Sequence, residues 1–70
     1  MTYIKTTYHP SGRYSCLERK AGDRMWKSLG GKLLGNFNKT EFYEEVRQLV
    51  IKLRSSGDLA SYDDQASRVD

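Results

Sequence analysis

Cations and aromatic rings alternate along the first half of this chain, and together they are the side chains that a polyanion calls for. Lys5, Arg13, Arg19, Arg24 and Lys32 carry the charge, and Tyr3 and Trp26 lie among them. Lys and Arg neutralise phosphates, whereas Trp and Tyr stack on bases or pack along sugars. Arg adds a planar fork that hydrogen-bonds guanine bidentately in a groove wide enough for a β-ribbon. The distribution of charge points the same way. Residues 1–39 hold eight Lys/Arg against two Asp/Glu, a net of +6, while residues 40–70 hold four against seven, a net of −3. A basic half beside an acidic half implies a polyanion-facing surface, or one matched to an acidic partner.

Other reactive residue types lack the company that catalysis or metal binding requires. His9, next to Pro10, has no placeable acid or nucleophile and reads as an exposed turn residue. Cys16 is the single cysteine, so it cannot form an internal disulfide, and with His9 alone it cannot complete a metal site. It reads as a small core residue. Asp63 and Asp64 would chelate a hard cation only with further rigid oxygen ligands. The run from Gly30 to Gly35 lacks the G-x-x-x-x-G-K-[ST] order of a phosphate loop and suits a hairpin turn better. A binding protein without cofactor or metal is expected, not an enzyme.

These residues must be positioned by a small fold. A 70-residue chain, 37% hydrophobic and 30% charged, has the composition of one globular domain with little core to spare. No apolar run approaches the roughly 20 residues of a membrane span, and no secretory signal opens the chain, so a cytoplasmic location is expected. The clearest element is a helix over residues 38–56. Asn38 and Glu41 form an Asn-led capping box, with Phe37 and Phe42 as a hydrophobic staple. Phe42, Val46, Leu49, Val50 and Leu53 recur at helical spacing, and Gly57 is the stop. Ile51 falls on the opposite side, as an isolated apolar residue or part of a second contact surface.

Upstream, the chain reads as strands over residues 2–8, 13–20, 24–29 and 32–37, separated by turns at 9–12, 21–23 and 30–31. The expected fold is therefore α+β: an antiparallel sheet of three to four strands packed against one C-terminal amphipathic helix. Residues 1–57 make the domain, and 58–70 read as an acidic, flexible tail whose removal is expected to leave the fold intact. Strand side chains alternate between faces. One phase sends Ile4, Tyr8, Tyr14, Cys16, Met25, Leu29, Leu33 and Phe37 toward the helix. The other sends Tyr3, Lys5, Thr7, Arg13, Arg19, Arg24, Trp26, Ser28, Lys32 and Asn36 to an open face. Glu18 and Lys27 fall in the inward phase and Leu17 in the outward one, which signals a bulge, an edge or a different register.

The segment Lys32-Leu33-Leu34-Gly35-Asn36-Phe37, followed by Asn38 and Glu41, resembles the end of the third strand and the helix start of AP2-like domains. These include the arm-binding domains of phage-type integrases, and Gly12-Arg13-Tyr14 is similar to the start of their first strand. The resemblance implies a three-stranded sheet on one helix, with Arg13, Arg24, Trp26 and Lys32 facing DNA. A four-strand count is similar instead to transcriptional coactivators that bind single-stranded DNA.

The expected partner is nucleic acid, DNA rather than RNA, bound by Tyr3, Lys5, Arg13, Arg19, Arg24, Trp26 and Lys32. The alternative is an acidic protein surface, as for a small phage-type inhibitor of a host enzyme or defence complex, such as an anti-CRISPR protein. Asp58, Asp63, Asp64 and Asp70 are expected to compete modestly for the basic face.

Overall fold

The computed structural model describes residues 1–30, 33–35 and 38–68. Its elements run β1 (Thr2–Tyr8), β2 (Tyr14–Lys20), β3 (Lys27–Ser28), α1 (Lys39–Ser56) and β4 (Leu59–Asp64), then a 3-10 turn at Ala66–Arg68. The strands form one sheet in the order β3-β2-β1-β4. β1 and β2 are an unbroken antiparallel hairpin from Thr2 opposite Lys20 to Tyr8 opposite Tyr14. Its turn is closed by His9 N–H donating to the Arg13 carbonyl and Gly12 N–H donating to the His9 carbonyl, both at 2.8 Å.

The fold is α+β, with two corrections to the expected architecture. The sheet is mixed, because β4 pairs with β1 in parallel, and the helix is central in the chain, not C-terminal. Both have one cause. A strand that follows the helix returns alongside β1 in the same direction, which is how parallel neighbours are connected. The expected flexible tail is corrected with them: Leu59–Asp64 is an edge strand, shifted by a bulge between its pairings with Thr2 and Tyr3.

Helix α1 begins and ends where its capping residues lie. The Asn38 side chain accepts from Glu41 N–H at 3.1 Å. Gly57 takes φ 72°, a left-handed conformation that lacks the Cβ penalty only in glycine, and its N–H donates to the Arg54 carbonyl. The helix buries Phe42, Val46 and Val50 against Ile4 and Cys16, with Tyr14, Leu29, Leu33, Leu59 and Tyr62 around them. Each large side chain fully removed from water here contributes about 1.5–3 kcal/mol. Tyr14 links hairpin to helix, its ring 5.4 Å from Phe42 and 5.1 Å from Tyr8.

Two buried threonines join the sheet to β4. Thr6 Oγ1 donates to Asp64 Oδ1 at 2.6 Å and accepts from Ala66 N–H at 3.2 Å. Tyr43 Oη donates to the same carboxylate oxygen at 2.7 Å, so one side chain ties α1, β1 and β4 together. At the other end Thr2 Oγ1 donates to Asp58 at 2.7 Å and accepts from Lys20 Nζ at 2.8 Å. Burial, the largest single influence on Asp64, raises its pKa, but hydrogen bonds from Thr6, Tyr43 and Ser67 outweigh it and the net direction is down. Asp58 is also lowered, first by the Thr2 hydrogen bond and then by the Met1 ammonium at 3.3 Å.

Several expectations within the strands are revised. The third strand is only Lys27–Ser28, not 24–29, and Met25 is 76% exposed instead of facing the helix. Residues 33–35 form no strand, and the rest of the expected strand 32–37 lies outside the described residues, as do Phe37 of the staple and Asp70. Tyr8 remains 36% exposed at the hairpin end. Glu18, Lys27 and Leu17 need no bulge: Glu18 is opposite Ile4 and Lys27 in register with the helix-side positions, Lys27 lies on the edge strand, and Leu17 is opposite Lys5 on the other face.

Candidate functional site

Directly opposed residues of neighbouring strands share a face, so the register defines the surface opposite α1. Tyr3 is opposite Arg19, Lys5 opposite Leu17 and Thr7 opposite Ser15. Trp26, immediately before β3, closes over this surface. Lys5 Nζ lies 4.3 Å from the Trp26 ring centroid. The Arg19 guanidinium lies 4.3 Å from the Tyr3 centroid and 5.5 Å from that of Trp26. Tyr3, Arg19, Trp26 and Lys5 thus form one continuous run of cation–π contacts across β1, β2 and the approach to β3.

The run has a chemical consequence. Stacking occupies the flat face of a guanidinium and leaves its N–H edge for hydrogen bonding. One of these edges is used by Arg19 Nη1, which donates to the Asp23 carbonyl at 2.8 Å and orients the group. Each exposed contact of this kind is worth about 0.5–1 kcal/mol, enough to hold a long side chain in place without neutralising it. Two held cations on one patch concentrate positive potential, which a bound anion relieves. Trp26 is thus in contact with both Lys5 and Arg19 on this face.

The remaining expected site residues are placed differently. Arg24 is exposed on the β2–β3 connection and joins none of these ring contacts. Arg13 stands at the far end of β2, where it lines an open cleft of about 580 Å³ with His9, Ser15 and Ser28. Lys32 lies outside the described residues. Of the acids expected to compete for the face, Asp63 shares it, opposite Lys5, with its carboxylate 3.1 Å from Arg68 Nη2. Asp58 and Asp64 are instead held by the buried threonines of the helix side.

Sequence reasoning missed several participants. Leu17 supplies the apolar floor between the cations, signalled only by its apparent misfit in the alternation. His9 is not without a partner, because its Nε2 lies 2.9 Å from Ser15 Oγ, a pairing across the hairpin turn. Cys16 is fully buried; burial first, and the Glu18 charge second, push its thiol up to about 12, which removes the thiolate at neutral pH. No cluster of three or more His, Cys, Asp or Glu suited to a metal occurs among the described residues, and no helix among them is long and apolar enough to cross a membrane. Comparison of the chain with protein-family models, curated proteins and solved structures found no match.

Proposed function

We propose that this protein binds nucleic acid, DNA in the first place, on the sheet face opposite α1. The observation that carries this reading is the continuous run of Tyr3, Arg19, Trp26 and Lys5 on that face. The free N–H edge of Arg19 and the Lys5 ammonium meet phosphates, Tyr3 and Trp26 offer ring surface to bases or sugars, and Arg24 adds field from the adjoining loop.

Trp26 is the only tryptophan, so its fluorescence reports directly on the site. Titration with single- and double-stranded oligonucleotides at two salt concentrations should change that emission, and log K should fall with log salt by about 0.7–0.9 per contacted phosphate. Arg19→Ala should weaken binding and lower the slope by about one. The absence of any emission change or binding at low salt refutes the reading.

A second reading, docking on an acidic protein surface, is favoured by a separate observation. Ile51 is 53% exposed on α1 and, with Arg47 and Arg54, lines a groove of about 280 Å³ beside Tyr62. Exposed apolar area flanked by arginines is complementary to an acidic partner. This groove is on the helix side, so Ile51→Asp should leave oligonucleotide affinity unchanged; a loss there moves the interface to the helix.

A further inference from the structure

The cleft at the β1–β2 turn brings together polar donors that the cation–π run does not use. His9, Ser11, Arg13, Ser15, Ser28 and Gly35 line it, without a carboxylate among the described lining residues. A phosphate monoester presents three terminal oxygens and up to two negative charges, so it needs several converging donors and gains most from a guanidinium. Three serine hydroxyls and the Arg13 guanidinium are that set, with the His9 imidazole beside Ser15.

The donors are held in place before any ligand arrives. Two backbone hydrogen bonds of 2.8 Å lock the turn that carries His9, Ser11 and Arg13. His9 Nε2, 2.9 Å from Ser15 Oγ, fixes that hydroxyl at a site where Ser15 is only 7% exposed. With Nε2 protonated, Ser15 accepts from the imidazole, and its own proton is free to donate into the cleft. Gly35 backs Arg13 closely, since a Cβ built there would lie 3.7 Å from Arg13 Cδ and Nη1.

Position connects the cleft to the open face. Ser15 is opposite Thr7 and Ser28 opposite Leu17, so both hydroxyls belong to the same face as Lys5 and Arg19. From Arg19 to Arg13 the chain runs about 20 Å along an extended strand, at roughly 3.4 Å per residue. That length accommodates a few nucleotides, with the cleft at the end of the track.

We infer that this cleft binds a phosphate monoester, namely the phosphorylated end of a nucleic-acid strand lying along the open face, an inference that rests on the proposed function. The test uses one oligonucleotide in three forms, 5′-phosphorylated, 3′-phosphorylated and with both ends hydroxyl, together with adenosine 5′-monophosphate alone. Each is titrated against the wild type, Arg13→Ala, Ser28→Ala and Arg19→Ala, with circular dichroism confirming that each variant is folded. One phosphorylated end should bind the wild type about tenfold or more tighter than the hydroxyl form, as charge-assisted hydrogen bonds imply. Arg13→Ala should erase that preference, Ser28→Ala should reduce it, and Arg19→Ala should weaken all three forms while keeping it. Equal binding of the three forms by the wild type overturns the strand-end inference and leaves the open-face reading intact. A preference that survives Arg13→Ala overturns the cleft as its source. If end phosphorylation adds nothing but the mononucleotide binds and Arg13→Ala abolishes it, the phosphate cleft stands and its ligand is a free nucleotide. If no oligonucleotide binds, the proposed function fails, and the mononucleotide arm alone decides the cleft: saturation lost in Arg13→Ala supports it, and no saturation overturns it.

Discussion

Replacing Asp64 by alanine should cost this small domain a large share of its stability, because one carboxylate oxygen accepts from two hydroxyls on two different elements. Thr6 Oγ1 at 2.6 Å is fully buried, and Tyr43 Oη at 2.7 Å is partly so. Removing the acceptor strands both donors, at about 1–3 kcal/mol for a buried unsatisfied group and less for the partly exposed one, or about 2–4 kcal/mol together. Against roughly 4–10 kcal/mol for a chain of this length, at about 0.05–0.15 kcal/mol per residue, that is enough to shift a urea midpoint severely. Asp64→Asn keeps an amide oxygen able to accept from both hydroxyls and should lose only about 1 kcal/mol. Urea unfolding of the two variants, followed by circular dichroism, measures both. A cycle with Thr6→Val isolates the pair, with a coupling of about 1 kcal/mol or more expected for groups in direct contact. An alanine variant within about 0.5 kcal/mol of the wild type, or equal losses in Ala and Asn, would refute the argument that this oxygen joins α1, β1 and β4.

Other expectations follow from the same geometry. Asp64 and Asp58 titrate lower in the folded chain than in the unfolded one, so their stabilisation is complete above the unfolded carboxylate pKa of about 3.9 and is lost as pH falls through the folded values; urea midpoints between about pH 6 and pH 3 should drop more steeply for the wild type than for Asp64→Asn. Deleting residues 58–70 removes β4 with Leu59 and Tyr62 from the core and should abolish the cooperative thermal transition, whereas a tail without structural role would leave it unchanged. Cys16, buried and with its thiol raised to about 12, should resist a thiol reagent at mildly alkaline pH and react fully once the protein is unfolded in urea. Gly57→Ala should destabilise by about 1 kcal/mol in the same urea assay, because a side chain at φ 72° meets the left-handed penalty although nothing lies within 4 Å of its Cβ.

The helix was legible because everything that defines it is local. Asn38, Glu41 and Gly57 satisfy backbone groups within a few residues, and the Phe42, Val46, Val50 spacing selects the buried face without reference to the remainder of the chain. The hairpin was legible for a similar reason: a tight turn pairs β1 with β2, and alternation then sends Ile4 and Cys16 inward and Tyr3, Lys5 and Arg19 outward. Tertiary structure alone decided β4. Leu-Ala-Ser-Tyr-Asp-Asp has weak strand propensity, and its partners Thr2 and Thr6 are 56 and 58 residues away from Asp58 and Asp64, so no local pattern announces the parallel pairing. An aspartate in such a strand looks like tail until buried hydroxyls are present to satisfy it. Trp26 was assigned to the open face by alternation, but its ring contacts there were not legible, for the same physical reason. It precedes a strand of only two residues, too short for any period, and its ring contacts come from Lys5 and Arg19 on strands earlier in the chain. The cleft joining His9, Arg13, Ser15, Ser28 and Gly35 likewise exists only after the hairpin turn and the segment following β3 have been brought side by side.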